Sequence, residues 1–264
     1  MNNKYDALLV TAGAGMGVDS GLPDFRGVEG FWEAYPIIKN WGYRFEEMAN
    51  PRWFSENPEL AWAFYGHRYN LYKRVKPHQG FGLLKELGER MSLGYHVVTS
   101  NVDGQFQKSG YSADVIHEIH GSIHHFQCSV PCTNNIWEAS VEDVDIDEDK
   151  FLARNIPLCP NCGAVARPNI LMFGDWSWLS QREEVQSSNL NSWLNKVASQ
   201  NGKLLIVEIG AGESVPTIRR LSERYQTLFN ADFYRINPKD YQNDFGFSIA
   251  SGGLEGIKEL VSKL

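Results

Sequence analysis

The chain has 264 residues, a length that favours one domain with a smaller satellite over two full domains. Hydrophobic residues make up 42% and charged residues 22%, proportions that exclude a disordered or fibrous protein. The formal net charge of −7 argues against direct nucleic-acid binding, because phosphate neutralisation needs a basic surface. No apolar run approaches the ~20 residues that span a bilayer. The first apolar run, Ala7–Val10, is too short for a signal peptide, so we expect a cytoplasmic protein without a membrane partner.

Short apolar strands alternate with helical patterns along the chain. Helices are predicted at 57–74, 78–92, 182–198 and 254–264, and strands at 7–12, 94–99, 114–119, 203–209, 232–236 and 245–249. Such alternation is typical of an α/β fold with a mainly parallel, doubly wound sheet. Ligands of such sheets lie beyond the carboxyl ends of the strands, where this chain carries its glycines and polar residues.

Residues 121–168 interrupt the alternation, because they show no long helical period. The segment 138–150 within them holds seven acidic residues and one lysine. Charge runs are usually solvated, so we expect a surface loop or a short acidic insert that packs against nothing.

The four cysteines all lie in this interruption and form two close pairs. Three residues separate Cys128 from Cys132, and 26 residues later two residues separate Cys159 from Cys162. This spacing is typical of a tetrahedral zinc site made of four thiolates, and a site filled by four protein ligands is structural. The alternatives are disulfides, which the cytoplasm disfavours, and free buried thiols.

The loop Gly13–Gly15 follows the first predicted strand and is a candidate phosphate cradle. Glycines let backbone N–H groups approach an anion, and the start of a helix would add its positive end. A plain tight turn remains an alternative, and Val18 breaks the dehydrogenase fingerprint. Nearby, Arg26 offers bidentate hydrogen bonds to a phosphate, Phe25 can cover a ring or sugar, and Asp24 can tether the loop.

Three further polar residues stand at predicted strand ends. Asn101 and Asp103 could bind an amide or a sugar, although an ordinary Asx turn is the more common reason for such residues. His120 directly precedes Gly121 and is a plausible general base near neutral pH. Taken alone, a structural histidine is the simpler interpretation.

Taken together, these motifs resemble the sirtuin family of NAD-dependent protein deacylases. The resemblance is carried by the paired cysteines, Asn237 and four blocks: GAGMGVDSGLPDFRG at 13–27, TSNVDG at 99–104, IHGS at 119–122 and ARPNILMFGD at 166–175. It implies a Rossmann-like NAD-binding domain made of residues 1–30, 76–120 and 168–264. It further implies a small domain made of a helical insert at 31–75 and a zinc module at 121–167.

The resemblance also implies a reaction. The acyl-lysine oxygen attacks C1′ of the nicotinamide ribose, His120 takes a proton from the ribose hydroxyls, and nicotinamide, free lysine and O-acyl-ADP-ribose are released. The resemblance implies that Asn101 and Asp103 are catalytic residues together with His120, and that Asp103 binds the nicotinamide carboxamide. The residues implied to bind NAD are Gly13, Ala14, Gly15, Asp24, Phe25, Arg26, Ser100, Asn101, Asp103, Gly210, Ala211, Gly212 and Asn237.

The same resemblance assigns residues to the protein substrate. Ile170, Phe173 and Gly174 belong to a segment whose backbone would pair with an extended peptide. Tyr65 and Arg68 match a Tyr-x-x-Arg pair of sirtuins that remove acidic acyl groups such as succinyl. Residues i and i+3 share a helix face, so both could reach one carboxylate. The alternative is an aromatic core residue beside a surface arginine.

Four positions depart from the family pattern. Ser100 replaces the usual glutamine, Gln105-Phe106 replaces Leu-His, and Asp175 replaces a glutamate. The loop Gly210–Gly212 lacks two hydroxyls, each worth roughly 1 kcal/mol as a hydrogen bond to NAD. These changes keep two alternatives open, namely an ADP-ribosyltransferase or NAD glycohydrolase and a non-catalytic NAD-sensing module.

Overall fold

The computed structural model describes residues 4–23 and 27–264. The strands, in chain order, are β1 Ala7–Ala12, β2 Tyr95–Thr99, β3 Ile116–Glu118, β4 Gly121–Cys128, β5 Ile136–Glu138, β6 Ile146–Asp147, β7 Leu152–Ala153, β8 Ala166–Ile170, β9 Leu204–Ile209, β10 Asp232–Ile236 and β11 Phe247–Ile249. The α-helices are α1 Gly27–Ala34, α2 Pro36–Trp41, α3 Phe45–Met48, α4 Trp53–Glu56, α5 Pro58–Arg74, α6 Gln79–Glu89, α7 Gln105–Lys108, α8 Gln181–Ser199, α9 Thr217–Phe229 and α10 Gly253–Lys263.

Six of the strands form one parallel sheet in the order β11-β10-β9-β1-β2-β3. β1 lies in the middle, with Leu8 opposite Tyr95 of β2 on one side and Leu205 of β9 on the other. All six residues of β1 are buried, which explains why its sequence reads as a continuous apolar run. The predicted α/β class with a doubly wound parallel sheet is confirmed.

Helices cover both faces of this sheet, and successive side chains of β1 pack alternately against one face and the other. Leu8 and Val10 join a core with residues of α6 and α10, whereas Ala7 and Leu9 join a second core with residues of α8 and α9. Because side chains alternate along a strand, each strand supplies both cores. The candidate site lies beyond the carboxyl ends of the strands.

The remaining strands build a smaller layer. β5, β4 and β8 form an antiparallel sheet, and β6 pairs with β7. They pack with α5 and the short helices before it around an aromatic-rich core that includes Phe31, Trp62, Phe64 and Phe126. Arg167 is buried among these apolar residues, together with its partner Asp175.

The acidic segment 138–150 packs against α5, so the expectation that it packs against nothing is wrong. Val144 is buried against α5, and Asn70 of α5 donates to its carbonyl at 2.8 Å and accepts from its N–H at 3.0 Å. Six of its seven acidic residues are exposed, while the backbone docks on the helix. A Cβ on Gly66 would stand 2.6 Å from Val144, so the glycine permits the close approach.

Several element boundaries differ from the predictions. The predicted strand 114–119 begins as a 3-10 turn at Ala113–Val115, and only Ile116–Glu118 pairs with β2. Helix α9 was not predicted.

Within the described residues, no helix combines the length and apolar character that crossing a bilayer would require.

Candidate active site and metal centre

A cavity of about 570 Å³ lies at the carboxyl edge of the parallel sheet, between this edge and the small layer. It brings together residues that the sequence places up to about 200 positions apart. The predicted site residues that line it are Gly13, Ala14, Tyr65, Arg68, Ser100, Asn101, Asp103, His120, Ile170, Phe173, Gly210, Ala211 and Gly212. Asp24, Phe25 and Arg26 lie outside the described residues.

Two glycine loops form the wall nearest to β1 and β9. Gly210 has a φ of +63°, and a Cβ there would stand 2.4 Å from the backbone of Gly15. The N–H of Gly15 donates to the carbonyl of Gly210 at 3.0 Å, so the two loops touch backbone to backbone. The segment after Gly13 continues as a 3-10 helix, Ala14–Ser20. Gly15 therefore supports the wall and does not line the cavity.

Asn237 stands behind the same wall. It is buried, and its side-chain N–H group donates to the carbonyl of Ala211 at 2.9 Å. Its side-chain oxygen accepts from the backbone N–H groups of Lys239 and Asp240. In this structure Asn237 thus shapes the third glycine loop, and its contact with an adenosine ribose stays a prediction.

The loop after β2 contributes the polar floor of the cavity. Asn101 donates from Nδ2 to the carbonyl of Gly13 at 3.0 Å and so ties the first two loops together. The Asp103 carboxylate is buried and accepts from the N–H of Gln105 at 2.9 Å. Burial, assisted by Glu118, raises the pKa of Asp103 to about 6 despite that hydrogen bond. Asp103 is therefore an ionised carboxylate at neutral pH, at an energetic cost.

His120 occupies the tight turn between β3 and β4. Gly121 has a φ of +78°, and a Cβ there would stand 2.0 Å from the carbonyl oxygen of Asn169, so the turn requires glycine after the histidine. Burial lowers the pKa of His120, and a hydrogen bond with the Ser100 backbone opposes that shift. His120 is consequently neutral at pH 7, as a general base must be.

The helical face that bears Tyr65 and Arg68 lines the opposite side of the cavity. Both side chains are buried, so the alternative of a surface arginine is wrong. Arg68 donates from Nε and Nη2 to the hydroxyl of Tyr72, at 3.2 and 3.0 Å. The hydroxyl of Tyr65 has no hydrogen-bond partner among the described residues.

Sequence reasoning missed several lining residues. Tyr72 lies seven residues after Tyr65 and four after Arg68, so the helical period alone could have revealed it. Phe45 and Glu46 line the cavity from the short helix α3, and Val215 lines it from the segment after β9. No spacing in the sequence connects those residues to the site.

The segment after β8 forms the rim of the cavity. Its N–H groups are used internally: Leu171 donates to the carbonyl of His120, Met172 to Asp175, and Phe173 to the carbonyl of Ala49. A paired peptide would therefore depend on the carbonyl groups of this segment. Gly174 has a φ of +68° in the turn and does not line the cavity.

The four cysteines lie together at the far end of the small layer. All are free thiols, and their sulfur atoms lie within 4.8 Å of one another. The Sγ separations of 3.7 Å for Cys128–Cys162 and Cys132–Cys159 match the edge of a zinc tetrahedron with bonds of about 2.3 Å, which is about 3.8 Å. They are far longer than a disulfide bond of about 2.05 Å. The cluster fits a structural zinc site.

A family model described as the Sir2 family matches residues 13–201. This match spans the glycine loop, the residues at the ends of β2 and β3, and all four cysteines. The chain belongs to the Sir2 family. The resemblance stated from the motifs is thereby confirmed.

Curated relatives of this Sir2-family chain carry the name NAD-dependent protein deacylase. One from Thermococcus sibiricus is 34% identical over 168 residues, which are 64% of this chain and 60% of the relative. One from Pyrococcus abyssi is 37% identical over 163 residues, 62% of this chain and 59% of the relative. The chain thus matches about three fifths of the length of these relatives.

Solved structures of Sir2 proteins share the fold along nearly the whole chain. A complex of Sir2 with a p53 peptide and NAD+ superposes with a TM-score of 0.68 at 22% identity, covering 99% of this chain and 94% of that chain. Sir2 bound to an acetylated peptide gives a TM-score of 0.67 at 20% identity, with coverages of 99% and 94%. At these identities the likeness establishes the fold.

Proposed function

We propose that the chain is an NAD-dependent protein lysine deacylase that releases nicotinamide, free lysine and O-acyl-ADP-ribose. The observation that carries the proposal is that His120 and Asp103 line the same cavity as the three glycine-bearing loops. Membership of the Sir2 family and the names of the curated relatives support it. NAD, when bound, supplies an electrophilic ribose carbon and accepts the acyl group.

The residues of this chain have separate tasks in that reaction. Gly13, Ala14 and the loop Gly210–Gly212 hold the phosphates and the adenosine side, because their small size allows close backbone approach. Asp103 holds the carboxamide of nicotinamide, and Asn101 keeps its loop beside Gly13. Asp24, Phe25 and Arg26 complete the phosphate and ribose contacts in this proposal.

His120 acts as the general base toward the ribose hydroxyls. Because its pKa is lowered, it remains an unprotonated acceptor through neutral pH and becomes protonated only below its ordinary value of 6.5. Ile170 and Met172 line the opposite side of the cavity and shield the ribose carbon, so that attack by the acyl oxygen is favoured over direct hydrolysis of NAD. One water molecule is consumed later in the reaction, when free lysine and O-acyl-ADP-ribose are formed.

The acyl group lies against α5 in this proposal, and an acidic acyl group suits the pocket best. The Tyr65 hydroxyl is buried without a partner among the described residues, and Arg68 brings a guanidinium to the same cavity. A terminal carboxylate satisfies both groups, whereas a methyl end leaves the Tyr65 hydroxyl unpaired, at a cost of roughly 1–3 kcal/mol. We therefore expect a succinyl-lysine peptide to be preferred over an acetyl-lysine peptide.

Two other parts of the proposal concern the surroundings of the enzyme. The cysteine cluster holds one structural Zn²⁺ per chain, with Cys128, Cys132, Cys159 and Cys162 as its ligands. A site of four thiolates needs reduced cysteines, so the proposal places the enzyme in a reducing compartment such as the cytoplasm. The protein partner is any polypeptide that presents an acyl-lysine in an extended segment.

The decisive experiment incubates the protein with NAD and either a succinyl- or an acetyl-lysine peptide of the same sequence. Formation of free lysine and O-acyl-ADP-ribose supports deacylation, and a higher kcat/KM for the succinyl peptide supports the acyl assignment. Nicotinamide release without peptide, or ADP-ribose on protein, would favour the transferase or glycohydrolase. Absence of any turnover would favour an NAD-sensing module. A preference for acetyl, or an unchanged succinyl rate in Arg68→Met, would reject the acidic-acyl assignment.

A further inference from the structure

A largely buried guanidinium stands behind the third glycine loop, Gly210–Gly212. Arg219 extends from the first turn of α9, and its side chain is 11% exposed. Its Nη1 group donates to the carbonyl of Asp240 at 2.8 Å and to the carbonyl of Ala211 at 3.4 Å. Arg219 therefore connects the loop after β9, helix α9 and the segment after β10.

Arg219 and Asn237 hold the same carbonyl group. Asn237 donates from Nδ2 to the carbonyl of Ala211 at 2.9 Å, and neither Asn237 nor Arg219 lines the cavity. The carbonyl of Ala211 thus points away from the cavity, toward the two donors behind the wall. In a planar trans peptide the following N–H points the opposite way, so the N–H of Gly212 is directed toward the cavity.

The direction of this N–H matters because the loop has little else to offer to a ligand. Gly210, Ala211 and Gly212 have no side-chain hydrogen-bonding group, so an anion must be bound by backbone N–H groups. An N–H whose direction is already fixed binds more tightly than one that must be ordered on binding, because ordering costs free energy. Arg219 supplies that order from behind the loop.

The charge of Arg219 has a smaller part in this arrangement. Its Nη2 group lies 3.8 Å from Oε1 of Glu213, whose side chain is 70% exposed, and such an ion pair adds little. The planar guanidinium carries several donors and can serve two carbonyl groups at once. The hydrogen bonds of Arg219, more than its charge, therefore shape the loop.

We propose that Arg219 is a positioning residue for NAD, which fixes the loop Gly210–Gly212 so that the N–H of Gly212 faces an oxygen of the ADP portion. The inference rests on the proposed function, which places this portion of NAD against the loop. Arg219 touches neither the reacting ribose carbon nor the acyl-lysine, because it lies behind the cavity wall. Its effect falls on NAD binding and not on the chemical step.

The test measures NAD kinetics and binding in Arg219→Met. KM for NAD should rise about tenfold, the effect of losing a hydrogen bond from a charged donor, while kcat at saturating NAD and KM for the acyl-lysine peptide are unchanged. The calorimetric Kd for ADP-ribose should rise by the same factor. Arg220→Met, which removes an exposed arginine from the next position of α9, is the control. An equal rise in Arg220→Met would overturn the inference, because the effect would then come from α9 as a whole.

Arg219→Lys separates the hydrogen bonds from the charge. A lysine keeps the positive charge but lacks the planar fork, so KM for NAD should lie between those of wild type and Arg219→Met. This difference from wild type should persist at high ionic strength, where attraction between exposed charges is screened. An Arg219→Lys variant with the affinity of wild type would overturn the inference. If Arg219→Met is unfolded in solution, Arg219→Lys alone decides.

The binding measurements also separate this inference from the deacylase proposal. Binding of NAD and ADP-ribose that depends on Arg219, without turnover of any acyl-lysine peptide, would remove the deacylase function and keep the positioning role. Turnover with a KM for NAD that Arg219→Met leaves unchanged would remove the positioning role and keep the deacylase. A wild-type protein that binds neither NAD nor ADP-ribose would overturn both.

Discussion

The carboxyl edge of the parallel sheet and the four-cysteine cluster are both polar sites, but different forces hold them. At the sheet edge, protein hydrogen bonds fix the polar groups, as between Asn101 and Gly13 or between Asp103 and Gln105. In the cluster, four thiols that are weak hydrogen-bonding groups converge within 4.8 Å. The first site is held together by hydrogen bonds within the chain, whereas the second has the geometry to bind a cation with its four sulfur atoms.

The two sites also differ in how much apolar packing surrounds them. The sheet edge rests on two apolar cores that are continuous along whole strands and helices. The aromatic-rich core of the small layer includes Phe151 and Ala153 beside the short strands, but none of the four cysteines. A metal can supply the stability that apolar packing does not provide around the thiols.

Loss of the metal should have the largest effect and should separate the two regions. Structural zinc binding is worth about 10–16 kcal/mol in small zinc domains at pH 7. We expect Cys159→Ser, or strong chelation, to abolish hydrogen-exchange protection in β4, β5 and β8 while β1 and β9 remain protected. Val130→Ser, at an exposed position between the first two cysteines, is the control. Purified protein without stoichiometric zinc by elemental analysis would contradict the assignment.

His120→Ala should have the next largest effect, and it should act on chemistry alone. Removing a general base costs about 10²–10⁴-fold in rate, so kcat should fall by that factor while NAD binding persists. In the unmodified enzyme, the rate should fall as the pH drops below 6.5, with a midpoint lower than that, since burial lowers the pKa of His120. His67→Ala, at an exposed histidine of α5, is the matched control. Turnover close to normal in His120→Ala would remove this residue from the mechanism.

Asp103→Asn should stabilise the protein while it impairs activity. The folded state raises the pKa of this carboxyl from 3.8 to about 6, so the folded protein binds the proton more tightly than the unfolded chain does. Stability is therefore lost as the pH rises from 3.8 to 6, and it stays lower above that range. The free energy of unfolding of Asp103→Asn should exceed that of wild type by roughly 2–3 kcal/mol at pH 8, and the difference should be near zero at pH 3.5.

Thermal unfolding of both proteins across this pH range measures that difference. Asp114→Asn, at an exposed position in the 3-10 turn before β3, provides the baseline for removing a surface carboxylate. An Asp103→Asn variant that is less stable than wild type at pH 8 would show that the ionised carboxylate is well compensated by its neighbours.

Replacing two helix glycines by alanine should have the smallest effect on the free energy of unfolding. The two substitutions test whether the acidic segment 138–150 packs on α5. In α5, a Cβ on Gly66 would stand 2.6 Å from Val144, so Gly66→Ala should destabilise by roughly 1–2 kcal/mol. In α6, a Cβ on Gly82 meets nothing within 4 Å, so Gly82→Ala should stabilise by up to about 1 kcal/mol. Urea unfolding midpoints measure both. Equal effects of the two substitutions would mean that Val144 does not pack tightly on α5.

The sequence predicted the elements of the large sheet well, because buried strands and amphipathic helices impose a pattern on neighbouring residues. The strand 7–12 matches its predicted bounds, and Leu204–Ile209 and Pro58–Arg74 differ from theirs by one residue. Helix α9 was missed although Ile218, Leu221 and Tyr225 stand at helical spacing on its buried side, a pattern that the same reasoning could have detected.

The sequence predicted less of the site, because cavities join residues that share no local pattern. His120 and Asp103 stood out by their place after strands, and the cysteines by their spacing. The cation–π contact of Arg68 with Phe45 and the use of the Leu171 N–H by His120 depend on how distant segments pack. No period in the sequence encodes such contacts, and Val144 was hidden in the same way among its acidic neighbours.

The central place of β1 has a consequence for how the chain is made. Leu8 pairs in register with Leu205, which a ribosome adds nearly 200 residues later. At about 5–20 residues per second, β1 waits on the order of 10–40 s for its second neighbour. During that time the nascent chain displays an apolar strand with one unpaired edge, a template for aggregation. Chaperone capture of nascent chains should therefore end only after β9 has emerged.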